Sequence, residues 1–412
     1  MKYFGTDGIR GVYGEGITED IAYRAGRALA RLFGGRGIVG RDTRISGPVL
    51  ESALAAGLTD GGADVCLAGV LPTPAIAHLT SKRGFSFGVE ISASHNPPEY
   101  NGLKIFMSDG YKLPVSAQSA LEYYMDDVGR AGGGGLKTVC SGEDEYLDYL
   151  LGRVRELART AGRTDKLEGM RVLLDCGGGA ASSVAARLFD ALGAKTETLC
   201  ADCRGECINV RCGALHPEKM CEKSADFDLG ASFDGDADRV VIFSKRLYGG
   251  DEVMYNLTRF YPYGTVVGTV MTNSALERKL AEKGMRLIRT DVGDRNVGEL
   301  MRLTGAELGG EPSGHFIIGG SAGDGILSAA ACALLIGDGG LYRLQCDRQV
   351  MVNIPSDKTD LSEKKLRDAE NAARRLANRV VVRLSGTEPV IRIMAEGGDP
   401  DGAVELIRNA LA

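Results

Sequence analysis

The chain has 412 residues, of which 44% are hydrophobic and 25% are charged, and its formal net charge is −6. This composition is ordinary for a globular protein, and the length allows about two to four domains. The negative net charge argues against a general nucleic-acid binder. No apolar leader follows Met1, and the longest apolar run, over 329–336, is too short to cross a bilayer. We therefore expect a cytoplasmic protein with no nucleic-acid or membrane partner.

The chain opens with a glycine-rich sequence, FGTDGIRG over 4–11, which we predict to be a loop. Its backbone N–H groups and Arg10 could hold an anion, and a plain N-terminal turn is the alternative. Thr18 can cap a helix that runs to about residue 33. Helices and short apolar strands then alternate, which predicts a mainly parallel sheet with helices on both faces.

Ser94 follows the predicted strand over 85–91, in the sequence SASHNPP. The two prolines prevent a helix directly after the serine, so we predict a rigid loop. The serine could be a nucleophile, a phosphate carrier, a helix cap or an ordinary loop hydroxyl. Ligands bind parallel sheets outside the C-terminal ends of the strands, which favours a functional role. Another strand is predicted over 105–107.

A second α/β unit begins with the predicted strand over 170–176, followed by three glycines and a helix over 182–192. Neither the GxGxxG nor the GxxxxGK[ST] pattern is present, which favours a close turn over a phosphate cradle. The ten cysteines are expected to be reduced thiols. The segment 200–221 is dense in cysteine, but it holds a single CxxC pair, so incidental thiols are favoured over a zinc site.

Three carboxylates follow the apolar strand predicted over 228–233, in the sequence DGDADR. Asp234, Asp236 and Asp238 would project to one side of an extended segment, and three close like charges need a cation between them. An EF-hand loop is excluded because Arg239 takes its glycine position. Oxygen ligands with open positions suit Mg²⁺ better than a solvated acidic turn does.

A third α/β unit contains predicted strands over 265–271 and 286–292 and the later loop GEPSGH. In that loop Glu311, Ser313 and His315 are spaced two apart, which fits hydrogen bonding to vicinal sugar hydroxyls; a plain turn is the alternative.

The last unit, with predicted strands over 350–354, 380–384 and 390–395 and two helices, has an α+β order. Around one of its turns lie two guanidinium groups, two hydroxyls and free N–H groups. They predict a phosphate clamp rather than a solvated turn, and the residues are Arg383, Ser385, Gly386, Thr387 and Arg392.

A reactive serine, a carboxylate metal site, a hydroxyl-reading loop and a separate phosphate clamp fit a phosphosugar mutase. A kinase would need a nucleotide loop, and a phosphatase would not need a remote clamp. The sequence resembles the α-D-phosphohexomutase family along essentially its whole length, because FGTDGIRG, ISASHNP, DGDADR, GEPSGH and RLSGTEPVIRIM occur in that family's order and spacing. Within the family it is most similar to the bacterial phosphoglucosamine mutases.

The resemblance implies four domains around one cleft, three of them α/β with mixed sheets and the last α+β. We expect these domains over 1–150, 151–246, 247–343 and 344–412. It also implies a phosphosugar partner, Mg²⁺, a bisphosphorylated sugar such as glucosamine 1,6-bisphosphate as activator, and a monomer or homodimer.

The resemblance further implies residue roles. Ser94 would carry the catalytic phosphate and bind Mg²⁺ together with the three aspartates. Lys104 is the candidate general acid/base. The groups around the transferred phosphate would be Arg10, His95, Lys104 and Arg239, the substrate-binding groups Glu311, Ser313, His315 and Arg295, and the groups on the non-reacting phosphate Arg383, Ser385, Gly386, Thr387 and Arg392.

The activity so implied is interconversion of glucosamine 6-phosphate and glucosamine 1-phosphate, which feeds UDP-N-acetylglucosamine and cell-wall synthesis. Pro312 stands where that subfamily usually has glutamine, so a phosphomannomutase/phosphoglucomutase is the alternative. A non-catalytic phosphosugar-binding regulator is the alternative from another class, and the intact Ser94 and aspartates argue against it.

Overall fold

The computed structural model describes residues 2–5, 7–127, 133–202, 204–356, 361, 364–384 and 390–411. Structural statements concern these residues. Ser385, Gly386 and Thr387, which the sequence predicts to form part of the phosphate clamp, lie outside them, as does Cys203 of the cysteine-rich segment.

The N-terminal part is a mixed sheet covered by helices. Its strands are β1 (Phe4–Gly5), β2 (Gly8–Val12), β3 (Arg36–Arg41), β4 (Asp64–Val70), β5 (Phe87–Ile91), β6 (Tyr100–Met107) and β7 (Lys137–Val139), and its helices are α1 (Glu19–Phe33), α2 (Gly47–Asp60), α3 (Thr73–Lys82) and α4 (Val115–Asp126). The sheet order is β1-β2-β6-β5-β3-β4-β7. β3, β4, β5 and β7 are parallel, whereas β6 joins β2 and β5 antiparallel. Thr18 caps α1 as predicted, since its side chain accepts a hydrogen bond from Ile21 N.

The prediction of a loop over 4–11 is wrong, because the glycines there lie within paired strands. β1 and β2 pair antiparallel, and β2 pairs with β6. Gly8 has a φ of +86°, and a Cβ on it would lie 2.2 Å from Leu103 O, so the close approach of the two strands requires glycine. β6 begins at Tyr100 rather than at residue 105 for the same reason: Gly102 is part of the strand, not of a loop.

The second and third parts are also α/β. The second sheet contains β8 (Arg171–Asp175), β9 (Lys195–Leu199), β10 (Leu229–Phe233), β11 (Val240–Phe243) and β12 (Leu247–Tyr248), with helices α5 (Glu143–Thr160), α6 (Ala185–Ala191) and α7 (Glu218–Lys223). The third sheet contains β13 (Thr265–Thr269), β14 (Arg286–Thr290), β15 (Leu308–Gly310) and β16 (Phe316–Ile318), with helices α8 (Gly250–Leu257), α9 (Ser274–Glu282), α10 (Asp294–Thr304) and α11 (Gly325–Gly337). The expected domain boundary at residue 150 falls inside α5, and the three domain boundaries stay predictions.

The C-terminal part is α+β, as the sequence predicts. An antiparallel sheet of order β17-β19-β18 is formed by β17 (Gln349–Pro355), β18 (Arg379–Leu384) and β19 (Val390–Glu396), and it packs with α12 (Lys364–Ala373) and α13 (Pro400–Leu411). The Asp399 side chain accepts a hydrogen bond from Gly402 N and so caps α13.

The apolar core of the second and third parts is continuous and centres on α11, which is buried along most of its length. The first and last parts have further cores of their own. Among the described helices, none combines the length and the apolar character needed to cross a membrane. Cys66 and Cys140 form a disulfide between β4 and the residue after β7, so the expectation of reduced thiols does not hold for this pair.

Candidate active site

Ser94 lies on the loop after β5, in a left-handed backbone conformation with a φ of +53°. Its side chain is fully buried, and its Oγ donates a hydrogen bond to Asp234 Oδ2 at 2.5 Å. His95 Nδ1 lies 3.2 Å from the same oxygen. Left-handed backbone is costly for a residue other than glycine, so the surroundings must hold this conformation. The serine therefore faces the carboxylate loop of a different sheet.

Two side chains that the sequence analysis did not select hold the Ser94 backbone. The Arg44 guanidinium donates to Ser94 O at 2.9 Å and to Asn96 O at 2.8 Å, and Asp42 orients it through an ion pair of 2.9 Å. The Asn209 amide donates to the same two carbonyls, at 2.8 and 3.0 Å. Arg44 follows the C-terminal end of β3, next to β5, so the rule that singled out Ser94 could also have found it. Nothing local to Asn209 indicates its role.

Asp234, Asp236 and Asp238 converge after β10. One oxygen from each lies within 4.8 Å of the others, and all three side chains are buried. Burial and the two neighbouring carboxylates raise the pKa of Asp234 to about 8. Burial alone would also raise the pKa of Asp238, but Lys104 and His315 bring it well below its usual range. The pKa values of Asp234 and Asp238 are therefore shifted in opposite directions although both residues lie on one loop.

The Lys104 ammonium lies at the centre of this acidic group. It donates to Asp236 Oδ2 and to Asp238 Oδ2, both at 2.6 Å, and lies 3.5 Å from Asp7 Oδ2. Burial would lower the pKa of Lys104, but the two aspartates raise it well above its usual value. Lys104 therefore carries a positive charge within this acidic group. Asp7, which also pairs with Arg10 at 2.7 Å, is a further residue that the sequence analysis missed.

The remaining groups near Ser94 are cationic or neutral. Arg239 Nε lies 3.9 Å from Asp234 and 3.8 Å from Asp238. Burial, together with Arg239 and Arg10, lowers the pKa of His95 to about 3. His95 is therefore neutral at neutral pH, and the positive charge around Ser94 comes from the two arginines and Lys104.

Only some of the polar side chains on the loop between β15 and β16 face the cleft that His95 and Arg239 line. Glu311 and Ser313 face this cleft. His315 does not: it is buried, with Nδ1 3.7 Å from Asp238 Oδ1 and Nε2 3.4 Å from Asp294 Oδ2. Arg295 faces a smaller neighbouring pocket of about 210 Å³. His315 and Arg295 therefore lie outside the cleft that Glu311 and Ser313 line, and the gathering of all four residues at one sugar stays a prediction.

Arg383 and Arg392 lie opposite each other on β18 and β19. Burial and the adjacent Arg392 lower the pKa of Arg383, which reflects two like charges held side by side. Such a pair favours binding of an anion between the two guanidinium groups.

A single cleft of about 820 Å³ joins these groups. All four parts of the chain contribute to its wall, and the lining residues include Asp7, Arg10, His95, Asn96, Arg239, Gly293, Glu311, Ser313, Arg383 and Arg392. Ser94 and Lys104 lie behind this wall. The cleft has room for a phosphorylated hexose, with cations at both of its ends.

Family models match nearly the whole chain in order. They are the phosphoglucomutase/phosphomannomutase α/β/α domains I (residues 1–130), II (144–249) and III (249–343) and the C-terminal domain (351–412). The chain belongs to the phosphoglucomutase/phosphomannomutase family. The fold expected from the resemblance is thereby confirmed: three α/β domains with mixed sheets and a C-terminal α+β domain.

Individual family members agree along the full length. Phosphoglucosamine mutase of Thermotoga maritima is 41% identical over 430 residues, which cover 99% of this chain and 98% of that protein. A crystal structure of a phosphoglucomutase/phosphomannomutase family protein from Burkholderia thailandensis superposes with a TM-score of 0.82 at 27% identity, covering 100% of this chain and 96% of the other. A structure of Aspergillus fumigatus N-acetylphosphoglucosamine mutase in complex with GlcNAc-6P and magnesium has a TM-score of 0.63 at 17% identity, covering 91% and 81%.

The family's acidic loop fits a hard divalent cation in this chain. Its donors are all oxygen, and within the described residues Asp236 Oδ1 and Asp238 Oδ1 are buried without a hydrogen-bond partner. The Lys104 ammonium supplies the positive charge between the carboxylates. A small cation with oxygen ligands can satisfy Asp236 Oδ1 and Asp238 Oδ1.

Proposed function

We propose that the protein is a magnesium-dependent phosphoglucosamine mutase, which interconverts glucosamine 6-phosphate and glucosamine 1-phosphate. The observation that carries this proposal is the 41% identity to the Thermotoga maritima phosphoglucosamine mutase over 99% of the chain. The cleft supports it, because its wall combines His95, which follows Ser94 directly, with the Arg383 and Arg392 pair of the last domain. A mutase needs both a reactive serine and a distant pair of arginines, since it moves one phosphate while it holds the sugar by another.

Ser94 carries the phosphate in this proposal. Its phosphorylated form transfers the phosphoryl group to a hydroxyl of the bound sugar phosphate, and the resulting bisphosphorylated sugar reorients and returns its other phosphate to Ser94. Arg10 and Arg239 offset the negative charge that develops on the phosphoryl oxygens. Lys104, held protonated by its aspartate partners, gives its proton to the serine oxygen when that oxygen leaves, and the proton of the attacking sugar hydroxyl restores the Lys104 ammonium.

Asp234, Asp236 and Asp238, with the phosphoserine, would hold Mg²⁺, which when bound neutralises charge on the transferred phosphate. At the other side of the cleft Glu311 and Ser313 hydrogen-bond the sugar hydroxyls. Arg383 and Arg392, with Ser385, Gly386 and Thr387, bind the phosphate that does not react. The bisphosphorylated sugar acts as activator because it rephosphorylates Ser94 when the intermediate escapes. A cytoplasmic location and a monomeric or homodimeric state complete the proposal.

A substrate panel tests the proposal. Turnover is measured with glucosamine 6-phosphate, glucose 1-phosphate and mannose 1-phosphate, in the presence of Mg²⁺ and a bisphosphorylated activator. We expect the highest kcat/KM with glucosamine 6-phosphate. If that substrate is the poorest of the three, the enzyme is instead a phosphomannomutase/phosphoglucomutase.

Chemical evidence for the carrier comes from phosphosite mapping of the purified chain, which should find phosphate on Ser94. Ser94→Ala should remove that phosphate and lower turnover at least about a thousandfold with an unchanged circular dichroism spectrum. Ser119→Ala, at an exposed serine of α4, is the control for phosphosite mapping and should keep the phosphate on Ser94. No turnover of any hexose phosphate by the native chain would leave only a binding role.

A further inference from the structure

The cysteine-rich segment packs against the loop that carries Ser94. Asn209, within this segment, holds the carbonyl oxygens of Ser94 and Asn96. Its own backbone N–H donates to Gly177 O at 2.8 Å, and Gly178 N donates to Cys200 O at 2.6 Å. The segment is therefore anchored to the turn after β8 and reaches the backbone of the reactive serine.

Two thiols lie close together in this segment, Cys200 at its start and Cys212 near its middle. The sulfur atoms of Cys200 and Cys212 and a carboxylate oxygen of Asp175 all lie within 4.8 Å of one another. Cys200 is partly exposed, whereas Cys212 is only 2% exposed. The Lys219 ammonium donates a hydrogen bond to Cys200 Sγ, with Nζ 3.5 Å from the sulfur. An accessible thiol beside a cation, with a second thiol buried behind it, is the arrangement of an attacking and a resolving cysteine.

We propose that Cys200 and Cys212 are a redox-active dithiol, a thiol-modification site that closes to a disulfide by exchange with a small-molecule disulfide. The Cys200 thiolate attacks one sulfur of the small disulfide, forming a mixed disulfide and releasing one thiol. Cys212 then attacks Cys200 Sγ, which forms the protein disulfide and releases the second thiol. Two electrons pass from the protein to the small disulfide, and the two cysteine protons end on the released thiols. The proposal of a redox-active dithiol does not depend on the proposed mutase activity.

The order of the two attacks follows from the surroundings of Cys212. Burial and the neighbouring Cys200 raise the pKa of the Cys212 thiol well above its usual value. Cys212 therefore stays protonated and does not compete for the first attack, which leaves Cys200 as the nucleophile that meets solvent.

The same contacts disfavour zinc at this site. The Asp175 carboxylate already accepts hydrogen bonds from Ser232 Oγ at 2.7 Å, Gly213 N at 2.8 Å and Gly177 N at 3.1 Å. The Lys219 ammonium would repel a second cation at Cys200. A disulfide between Cys200 and Cys212 can form without displacing the Asp175 carboxylate or the Lys219 ammonium.

Disulfide mapping on the full-length chain tests the proposal. Reduced protein is incubated with oxidised glutathione, its remaining thiols are alkylated, and peptides are analysed without reduction. We expect a peptide pair linked through Cys200 and Cys212, which disappears in Cys200→Ser and in Cys212→Ser. Cys221→Ser is the matched control, a partly exposed cysteine of the same segment, and it should keep the link. The Cys66–Cys140 pair is followed on its own peptides.

The rate of the first step tests the role of the cation. Lys219→Met should slow glutathione attachment at Cys200 several-fold, and Lys219→Arg should restore it, whereas a purely structural lysine would leave the rate unchanged. The proposal is overturned if Cys200 pairs with Cys203 or Cys207, or if Cys200 and Cys212 both remain open to alkylation. Stoichiometric zinc in the native chain that is lost in Cys200→Ser would overturn it in favour of a metal site.

Discussion

Two loops at the active site carry polar residues at every second position, and they fold differently. In Asp234–Asp238 all three acidic side chains are buried and converge within 4.8 Å. In Glu311–His315 the first two polar side chains face the cleft, whereas the third, His315, lies behind it against Asp238. The same spacing in the sequence therefore produced a cluster in one loop and a divided set in the other.

The difference comes from where each chain turns and from what lies at the centre. Gly314 has a φ of +92°, and Glu311 N donates to His315 O at 2.9 Å. The chain therefore reverses direction before His315, which leads directly into β16. The first loop also turns, but the Lys104 ammonium from β6 binds two of its carboxylates from the inside. Spacing of two places side chains together only where the backbone stays extended or a central charge collects them.

Among the variants of the two loops, the one that neutralises a carboxylate of the first loop should have the largest effect. Asp236→Asn removes a proposed metal ligand and one partner of Lys104, so we expect kcat to fall at least about a hundredfold. The Mg²⁺ concentration that gives half-maximal turnover should rise as well. Asp190→Asn, an exposed aspartate of α6, is the control and should leave both unchanged. Turnover within about threefold of wild type for Asp236→Asn would remove this carboxylate from the mechanism.

Local patterns predicted much of the fold. Thr18 marked the start of α1, and apolar runs located β10 and β13. The same rules failed at 4–11, because glycine there serves close strand pairing rather than a loop. Nothing local to a glycine tells whether another strand passes 2.2 Å from where its Cβ would be.

Local sequence patterns likewise predicted only part of the candidate site. Ser94 and the three aspartates were selected because each follows a predicted buried strand, where side chains meet a ligand. The family resemblance named Lys104, but local patterns did not predict its contacts with Asp236 and Asp238 or the position of Asn209. His315 contacts Asp238 of the acidic loop and Asp294 at the start of α10. Such positions are fixed by packing between domains.

Replacing Gly314 tests the turn that divides the second loop. In Gly314→Ala the new Cβ would lie 2.4 Å from Val240 O at a φ of +92°, so we expect a loss of about 3 kcal/mol in the free energy of unfolding. Gly305→Ala is a matched control: its φ is +68°, with no atom within 4 Å of the added Cβ. It should cost only about 1 kcal/mol. Equal urea midpoints for the two variants would contradict the clash.

Glu311→Gln tests the half of the second loop that faces the cleft. Glutamine keeps an oxygen to accept the hydrogen bond from Gly293 N, which is 3.0 Å long, so mainly the charge is lost. A charged hydrogen bond to a sugar hydroxyl is worth about 2 kcal/mol, so kcat/KM should fall about thirtyfold. Glu307→Gln, an exposed acid just before β15, is the control and should keep the wild-type value. An unchanged kcat/KM in Glu311→Gln would mean that this carboxylate does not contact the sugar.

His315→Gln tests the half that is turned away, and its effect on substrate binding should be the smallest. Since His315 contacts Asp238 and Asp294 rather than the cleft, KM for the sugar phosphate should stay within about twofold of wild type. Any loss should appear in kcat, because Asp238 loses a neighbour that helps to hold its charge. A rise in KM as large as the fall in kcat/KM of Glu311→Gln would mean that His315 swings into the cleft when substrate binds. The two loops would then use their alternating residues alike, and the turn at Gly314 would divide only the ligand-free form.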